Sequence, residues 1–140
     1  MGRVKRVGWA FCIVALLQVV GCGKEDKPKG KVFFTEPKNG AEIKGPVKIV
    51  MGVEDIKIQP AGEVVEGTGH HHVLINLDFV PPGQVIPTDD SHRHYGKGQT
   101  EAELDLPPGD YKLTLQFADG LHRSYGRELS DTINVKVLPN

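Results

Sequence analysis

The sequence predicts an all-β protein: an immunoglobulin-like antiparallel β-sandwich of about seven strands, after an N-terminal signal segment. Two observations lead to this prediction. Apolar residues occur at every second position in several short stretches, which is typical of strands with one buried face. Gly and Pro residues separate these stretches, and no stretch of useful length has a helical period.

The predicted strands follow one another along residues 32–138. The first begins at 32–34, and the others are 47–53, 70–77, a short returning strand at 84–87, 99–106, 111–117 and 132–138. In 111–117, for example, Tyr111, Leu113, Leu115 and Phe117 alternate with Lys112, Thr114 and Gln116. Turn sequences such as Asn39-Gly40 and Asp119-Gly120 lie between the strands.

One turn carries a more specific signal. Residues 104–111 read Leu-Asp-Leu-Pro-Pro-Gly-Asp-Tyr, which resembles the tyrosine corner of Greek-key sandwiches. In that motif the Tyr111 hydroxyl bonds back to nearby backbone, and the two flanking strands are E and F. A plain Pro-Gly turn before a β-prone aromatic residue predicts the same two strands.

The N-terminus predicts export. Arg3, Lys5 and Arg6 precede an uncharged run over 7–20, which is shorter than the roughly 20 residues of a membrane-spanning helix. Val19-Val20-Gly21 before Cys22 resembles a bacterial lipobox, whose cysteine is acylated; the alternative is an ordinary signal with a chance cysteine. We therefore expect a lipoprotein signal peptide at 1–21, a flexible tether at 22–31 and the β-sandwich domain at 32–140. Gly23, where an Asp would signal inner-membrane retention, favours the outer membrane, facing the periplasm.

Charge and cysteine content exclude several classes of partner and site. Without residues 1–21 the chain has 14 Lys and Arg against 18 Asp and Glu, which argues against nucleic acid or an anionic membrane surface as the main partner. The membrane is then reached only through the lipid anchor. Cys22 is the only cysteine after the signal, so neither an intrachain disulfide nor a multi-cysteine metal site is expected.

All six histidines lie between residues 70 and 122. His70 and His72 share one face of a predicted strand, whereas His71 has the parity of Val73 and should be mostly structural. His92 and His94 lie in a polar segment, 88–98, that is a loop by composition, and His122 lies in another connection. If 84–87 is a strand, all six histidines gather at one end of the sandwich.

A histidine cluster of this kind suits Zn(II), Cu(II) or Ni(II), with Zn or Cu(II) the expected ion. The predicted ligands are His70, His72, His92 and His94, with His122 in reserve. Asp89 and Asp90 are candidate oxygen ligands or hydrogen-bond acceptors for the imidazoles. Cu(I) is disfavoured because Met51, the only Met after the signal, lies mid-strand. The alternative is a non-metal interaction or structural module whose histidines only brace loops.

No catalytic signature accompanies the histidines. No serine lies in a Gly-x-Ser-x-Gly elbow, and no Gly-rich phosphate loop precedes a helix. The sequence therefore predicts binding rather than catalysis: an exported, lipid-anchored binding domain of the bacterial cell envelope. It does not specify a protein or small-ligand partner.

Several segments together resemble an uncharacterised family of bacterial secreted domains, a domain of unknown function, over roughly residues 32–138. They are Pro37-Lys38-Asn39-Gly40-Ala41, Pro60-Ala61-Gly62, Gly67-Thr68-Gly69-His70-His71-His72-Val73-Leu74-Ile75, His92-Arg93-His94-Tyr95-Gly96-Lys97-Gly98-Gln99-Thr100-Glu101 and Leu106-Pro107-Pro108-Gly109. The resemblance implies a small exported β-domain, often a lipoprotein, and no established activity. Members of the family tend to have a second histidine and a proline pair after the position of His122, where this chain has Arg123-Ser124-Tyr125-Gly126-Arg127.

Replacing Cys22 tests the anchor. Cys22→Ser removes the thiol that would be acylated, so the protein should be released as soluble periplasmic protein or remain uncleaved. Membrane fractionation of cells that produce the two forms measures this. Membrane association identical to that of the unmodified protein would contradict lipidation at Cys22.

Overall fold

The computed structural model describes residues 29–140, together with Gly2. The predicted signal peptide at 1–21 (apart from Gly2), Cys22 and most of the predicted tether lie outside the described residues. Within 29–140 the chain forms nine strands and one 3₁₀ helix. They are β1 Lys31–Glu36, β2 Ala41–Lys44, β3 Val47–Glu54, β4 Lys57–Ile58, β5 Thr68–Ile75, β6 His92–His94, β7 Glu101–Leu104, β8 Gly109–Ala118, the 3₁₀ helix Arg127–Leu129 and β9 Ser130–Leu138. No helix in this part of the chain is long and apolar enough to cross a membrane.

Two sheets form a sandwich. One has the order β1-β3-β7, and the other has the order β2-β9-β8-β5-β4, with β6 also paired to β5. The pairs are antiparallel except for the short β2–β9 and β4–β5 pairs, which are parallel. The predicted all-β sandwich is therefore confirmed. The strand count exceeds the prediction because β2, β4 and β6 have two to four residues, too few for a period-two pattern to be recognised.

The predicted alternation fills the space between the sheets. Val47, Ile49 and Met51 of β3 are buried and belong to the same apolar core as Leu113 and Leu115 of β8. Their side chains share one face of each strand because successive strand residues point to opposite sides. The inward faces of the two sheets therefore supply the main core.

The tyrosine corner is present. The Tyr111 hydroxyl donates a hydrogen bond of 2.8 Å to the carbonyl oxygen of Pro107. The turn carries the chain from β7, in the three-stranded sheet, to β8, in the six-stranded sheet. This bond fixes the crossover between the two layers, as the sequence predicted.

The predicted strand at 84–87 is wrong. Around Val85 the structure has only an isolated bridge to Arg123. Residues 80–86 instead lie with residues 119–126 over the outer face of the six-stranded sheet, and we call these two segments the covering layer. Leu74 and Ala118 point to that face and are fully buried in a small apolar cluster with Ile86. The segment is held here because these outward apolar side chains need to be covered.

We expect Tyr111→Phe to lower the free energy of unfolding by about 1 kcal/mol, because the bond to Pro107 is lost while the ring is kept. Urea denaturation of the purified chain measures the change, with the slope in denaturant expected to stay constant. A midpoint equal to that of the unmodified protein would show that the corner adds no stability.

Candidate metal centre

Strand β5 presents histidines to both faces of its sheet. His71 points inward with Val73, and its ring lies edge-on to Phe117 with the centroids 5.1 Å apart. His70 and His72 point outward with Leu74, under the covering layer, and both are fully buried. The structure thus places His71 on the opposite face from its two neighbours, as its parity predicts.

His94 reaches the outward pair through strand pairing. Strand β6 runs antiparallel to β5, and its register sets His94 directly opposite His72. Side chains at opposite positions of an antiparallel pair lie side by side, and the two ring centroids are 4.9 Å apart. Residues 92–94, a loop by composition, are therefore strand in the structure.

His122 comes from the covering layer. Its ring centroid lies 5.1 Å from that of His70 and 4.7 Å from that of His94, nearly perpendicular to both rings. His122 was predicted as a reserve ligand, and the structure places it among the four converging histidines.

The four rings bring their nitrogens to one point. His72 Nε2 lies 3.0 Å from His70 Nε2, which lies 3.2 Å from His122 Nδ1. One ring nitrogen from each of His70, His72, His94 and His122 lies within 4.8 Å of the others. Four nitrogens around a tetrahedral zinc ion, at bond lengths of 2.0–2.1 Å, are about 3.3 Å apart. The group could therefore hold a metal ion after small movements of the rings.

Burial keeps these imidazoles uncharged. It lowers the pKa of His70 to about 4 and that of His72 to about 2, and the neighbouring histidines add to both shifts. Burial also lowers the pKa of His94, and the charge of His122 contributes. At neutral pH His70, His72 and His94 are therefore neutral, as metal coordination requires.

The hydrogen bonds of the group are incomplete. The rings of His70, His72 and His122 bond to one another. Nδ1 of His70, Nδ1 of His72 and Nε2 of His94 are buried without a partner among the described residues. Histidines that brace loops would be expected to bond to backbone or carboxylate groups of those loops. Among the described residues, the four rings make no such hydrogen bonds to backbone or carboxylate groups.

His92 lies outside the group. It is paired with Leu74, two residues further along β5 than His72. Its Nδ1 contacts Asp89 Oδ1 at 2.8 Å. Asp89, considered above as a partner of the cluster, thus bonds to His92 instead, and Asp90 is exposed. The gathering of all six histidines at one end depended on a strand at 84–87, which does not form. Four histidines meet on the outer face of the sheet, and His71 lies in the core.

Two residues near the group were not identified from the sequence. A Cβ atom at Gly96 would lie 2.3 Å from Cε1 and Nε2 of His94, so only glycine leaves room for that ring. Asp119, buried in the covering layer, is the carboxylate whose charge acts on His70, where it opposes the lowering of the pKa. In the sequence, Gly96 and Asp119-Gly120 indicate only turns. The sequence does not show what those turns contact.

The family described as "Domain of unknown function (DUF4399)" matches residues 49–138, well over half of the chain. The chain belongs to the DUF4399 family. This confirms the resemblance to an uncharacterised domain family. The matched part of the DUF4399 domain contains all four converging histidines and Asp119.

Other comparisons add little. Among solved structures, the X-ray structure of the endo-beta-1,4-mannanase from Thermotoga petrophila is similar, with a TM-score of 0.48 and 23% identity. The alignment covers 83% of the DUF4399 chain and 21% of the mannanase chain, so the DUF4399 chain spans about a fifth of that protein. A likeness at this level carries no argument about function. No curated protein matches the chain.

The metal-free domain should lose stability in acid. The pKa values of His70, His71 and His72 are lowered from 6.5 to about 4, 4 and 2, so the unfolded chain binds more protons below pH 6.5. The stability is fully present above pH 6.5 and falls as the pH drops toward 4, by up to about 1.4 kcal/mol per pH unit for each histidine.

Urea denaturation of metal-free protein at a series of pH values measures this slope. The variant His72→Gln should have a shallower slope, since one of the three groups is removed. A free energy of unfolding that stays constant between pH 6.5 and 4.5 would contradict the neutral, buried state of these histidines.

Proposed function

We propose that the DUF4399 domain binds a transition-metal ion through His70, His72, His94 and His122, as part of an exported, lipid-anchored protein of the bacterial cell envelope. The observation that carries the proposal is the convergence of four ring nitrogens within 4.8 Å of one another. Two of these histidines are fully buried, and burying imidazoles that bond only to each other is unfavourable unless another partner completes the group.

The donor set favours Zn(II) or Cu(II). All four donors are imidazole nitrogens, which suit Zn, Cu and Ni rather than Mg or Ca. Soft ligands are absent from the site in the described part of the chain, since Met51 is buried in the core between the sheets. Cu(I), which prefers thiolate and thioether sulfur, is therefore not the expected ion.

Four protein ligands favour binding over catalysis. A tetrahedral zinc ion held by four imidazoles has no open position, whereas catalytic zinc sites keep one for water or substrate. His94 and His122 are partly exposed, while His70 and His72 are not. An ion would enter and leave on the side of His94 and His122, which suits reversible binding.

The tether supports a location close to the membrane. Strand β1 begins at Lys31, nine residues after Cys22. Nine extended residues reach at most about 30 Å, so an acylated Cys22 would keep the metal-binding domain near the bilayer surface. The basic start, the apolar run and Gly23 support export and an outer-membrane location facing the periplasm.

Metal titration of the purified, metal-free full chain in detergent tests the proposal. Zn(II) and Cu(II) should each bind in a 1:1 ratio, and His72→Ala should weaken binding by about 100-fold or more because it removes a buried ligand. His92→Ala is the matched control, since His92 lies on the neighbouring strand but outside the group, and it should bind as the unmodified protein does.

A second comparison tests the assignment of faces. His71→Ala should retain the affinity that His72→Ala loses. Binding should also weaken in acid, because protonated imidazole cannot coordinate a metal ion. If neither His72→Ala nor His71→Ala changes the affinity, or if no metal binds in a 1:1 ratio, the metal-binding function is wrong and the loop-bracing alternative remains.

A further inference from the structure

The backbone of His122 has an uncommon conformation. Its φ angle is 64°, in the left-handed region that only a few per cent of non-glycine residues adopt, Asn, Asp and His more often than the others. Such a conformation persists only where the surrounding structure fixes it, and it often marks a functional position. His122 is also the histidine of the group that comes from a loop rather than from a strand.

The carboxylate of Asp119 holds the backbone on both sides of His122. Its Oδ1 accepts hydrogen bonds from the N–H of Leu121, at 2.9 Å, and from the N–H of Arg123, at 3.0 Å. Its Oδ2 accepts a bond of 2.8 Å from Arg123 Nε. Because the two backbone donors flank His122, the carboxylate sets the turn in which His122 lies.

Neighbouring segments fix the same turn from outside. The N–H of Gly62 donates to the carbonyl of Gly120 at 2.8 Å, and a Cβ atom at Gly120 would lie 1.9 Å from the carbonyl oxygen of Glu63. The N–H of Ile86 donates to the carbonyl of His122 at 2.9 Å. The turn is therefore packed between two other segments, and the Asp119 side chain bridges it from its first residue.

We propose that Asp119 is a positioning residue for the metal site. It holds His122 so that the Nδ1 of His122 meets the nitrogens of the other three histidines. This inference rests on the proposed metal-binding function. Asp119 acts through the acceptor that bridges the N–H groups of Leu121 and Arg123. An Asn side chain keeps that acceptor and loses only the bond from Arg123 Nε.

Asp89 provides a matched control within the same chain. Its Oδ1 accepts bonds from the N–H of Ser91, at 2.8 Å, and from the N–H of His92, at 3.0 Å. It therefore makes the same kind of backbone contact beside a histidine. His92, however, is not one of the four converging histidines.

Zn(II) titration of the full chain in detergent tests the inference. Asp119→Ala should weaken binding by about 10- to 100-fold, the range typical of residues that orient metal ligands. Asp119→Asn should keep most of the affinity, because the bridging acceptor remains. Asp89→Ala should leave the affinity unchanged.

A double-mutant cycle separates positioning from charge. In the His122→Ala background, Asp119→Ala should cause no further loss, because its effect is transmitted through His122. If the full loss persists in that background, or if Asp119→Asn binds as weakly as Asp119→Ala, the positioning role is overturned.

If Asp119→Ala does not fold, as judged by circular dichroism, Asp119→Glu is tested in its place. It keeps the charge but displaces the acceptor by one methylene, so it should also lose affinity; full affinity would overturn the inference. Lack of metal binding by the unmodified protein is a separate outcome, which would remove the proposed function itself.

Discussion

The burial of strand β5 on both faces is the constraint on which the rest of the domain depends. Residues 68–74 of this strand are all buried. The inward face, with His71 and Val73, contributes to the core between the sheets, as any sandwich strand does. The outward face carries His70, His72 and Leu74, and it would be exposed if the sheet ended there. The covering layer lies on this face and removes these side chains from water, while strand β6 extends the sheet beside β5.

The same constraint explains how the histidines meet. His70 and His72 come from β5, His94 comes from the strand paired with it, and His122 comes from the layer that covers both. Each element is placed by ordinary forces: strand pairing, burial of apolar side chains and the hydrogen bonds of the Asp119 turn. The candidate metal centre therefore does not need a dedicated scaffold, because the same elements that build the fold bring its four imidazoles together.

The sequence predicted those features that depend on local pattern. Period-two alternation predicted the main strands, the Pro-Gly turn predicted the bond of Tyr111, and parity separated His71 from its neighbours. Features that depend on register or loop conformation could not be predicted. His92 and His94 have the same parity, so only the pairing of β6 with β5 decides which of them faces His72. The position of His122 depends on a left-handed backbone conformation that composition does not reveal.

The central claim is that four imidazoles bind one metal ion. X-ray absorption spectroscopy at the zinc edge of the Zn-loaded protein tests it most directly, because it reports the donor atoms and their distances. The account predicts four nitrogen donors at about 2.0–2.1 Å with the scattering pattern of imidazole rings, and no sulfur. Three imidazoles or fewer, with water or carboxylate oxygen completing the coordination, would contradict it.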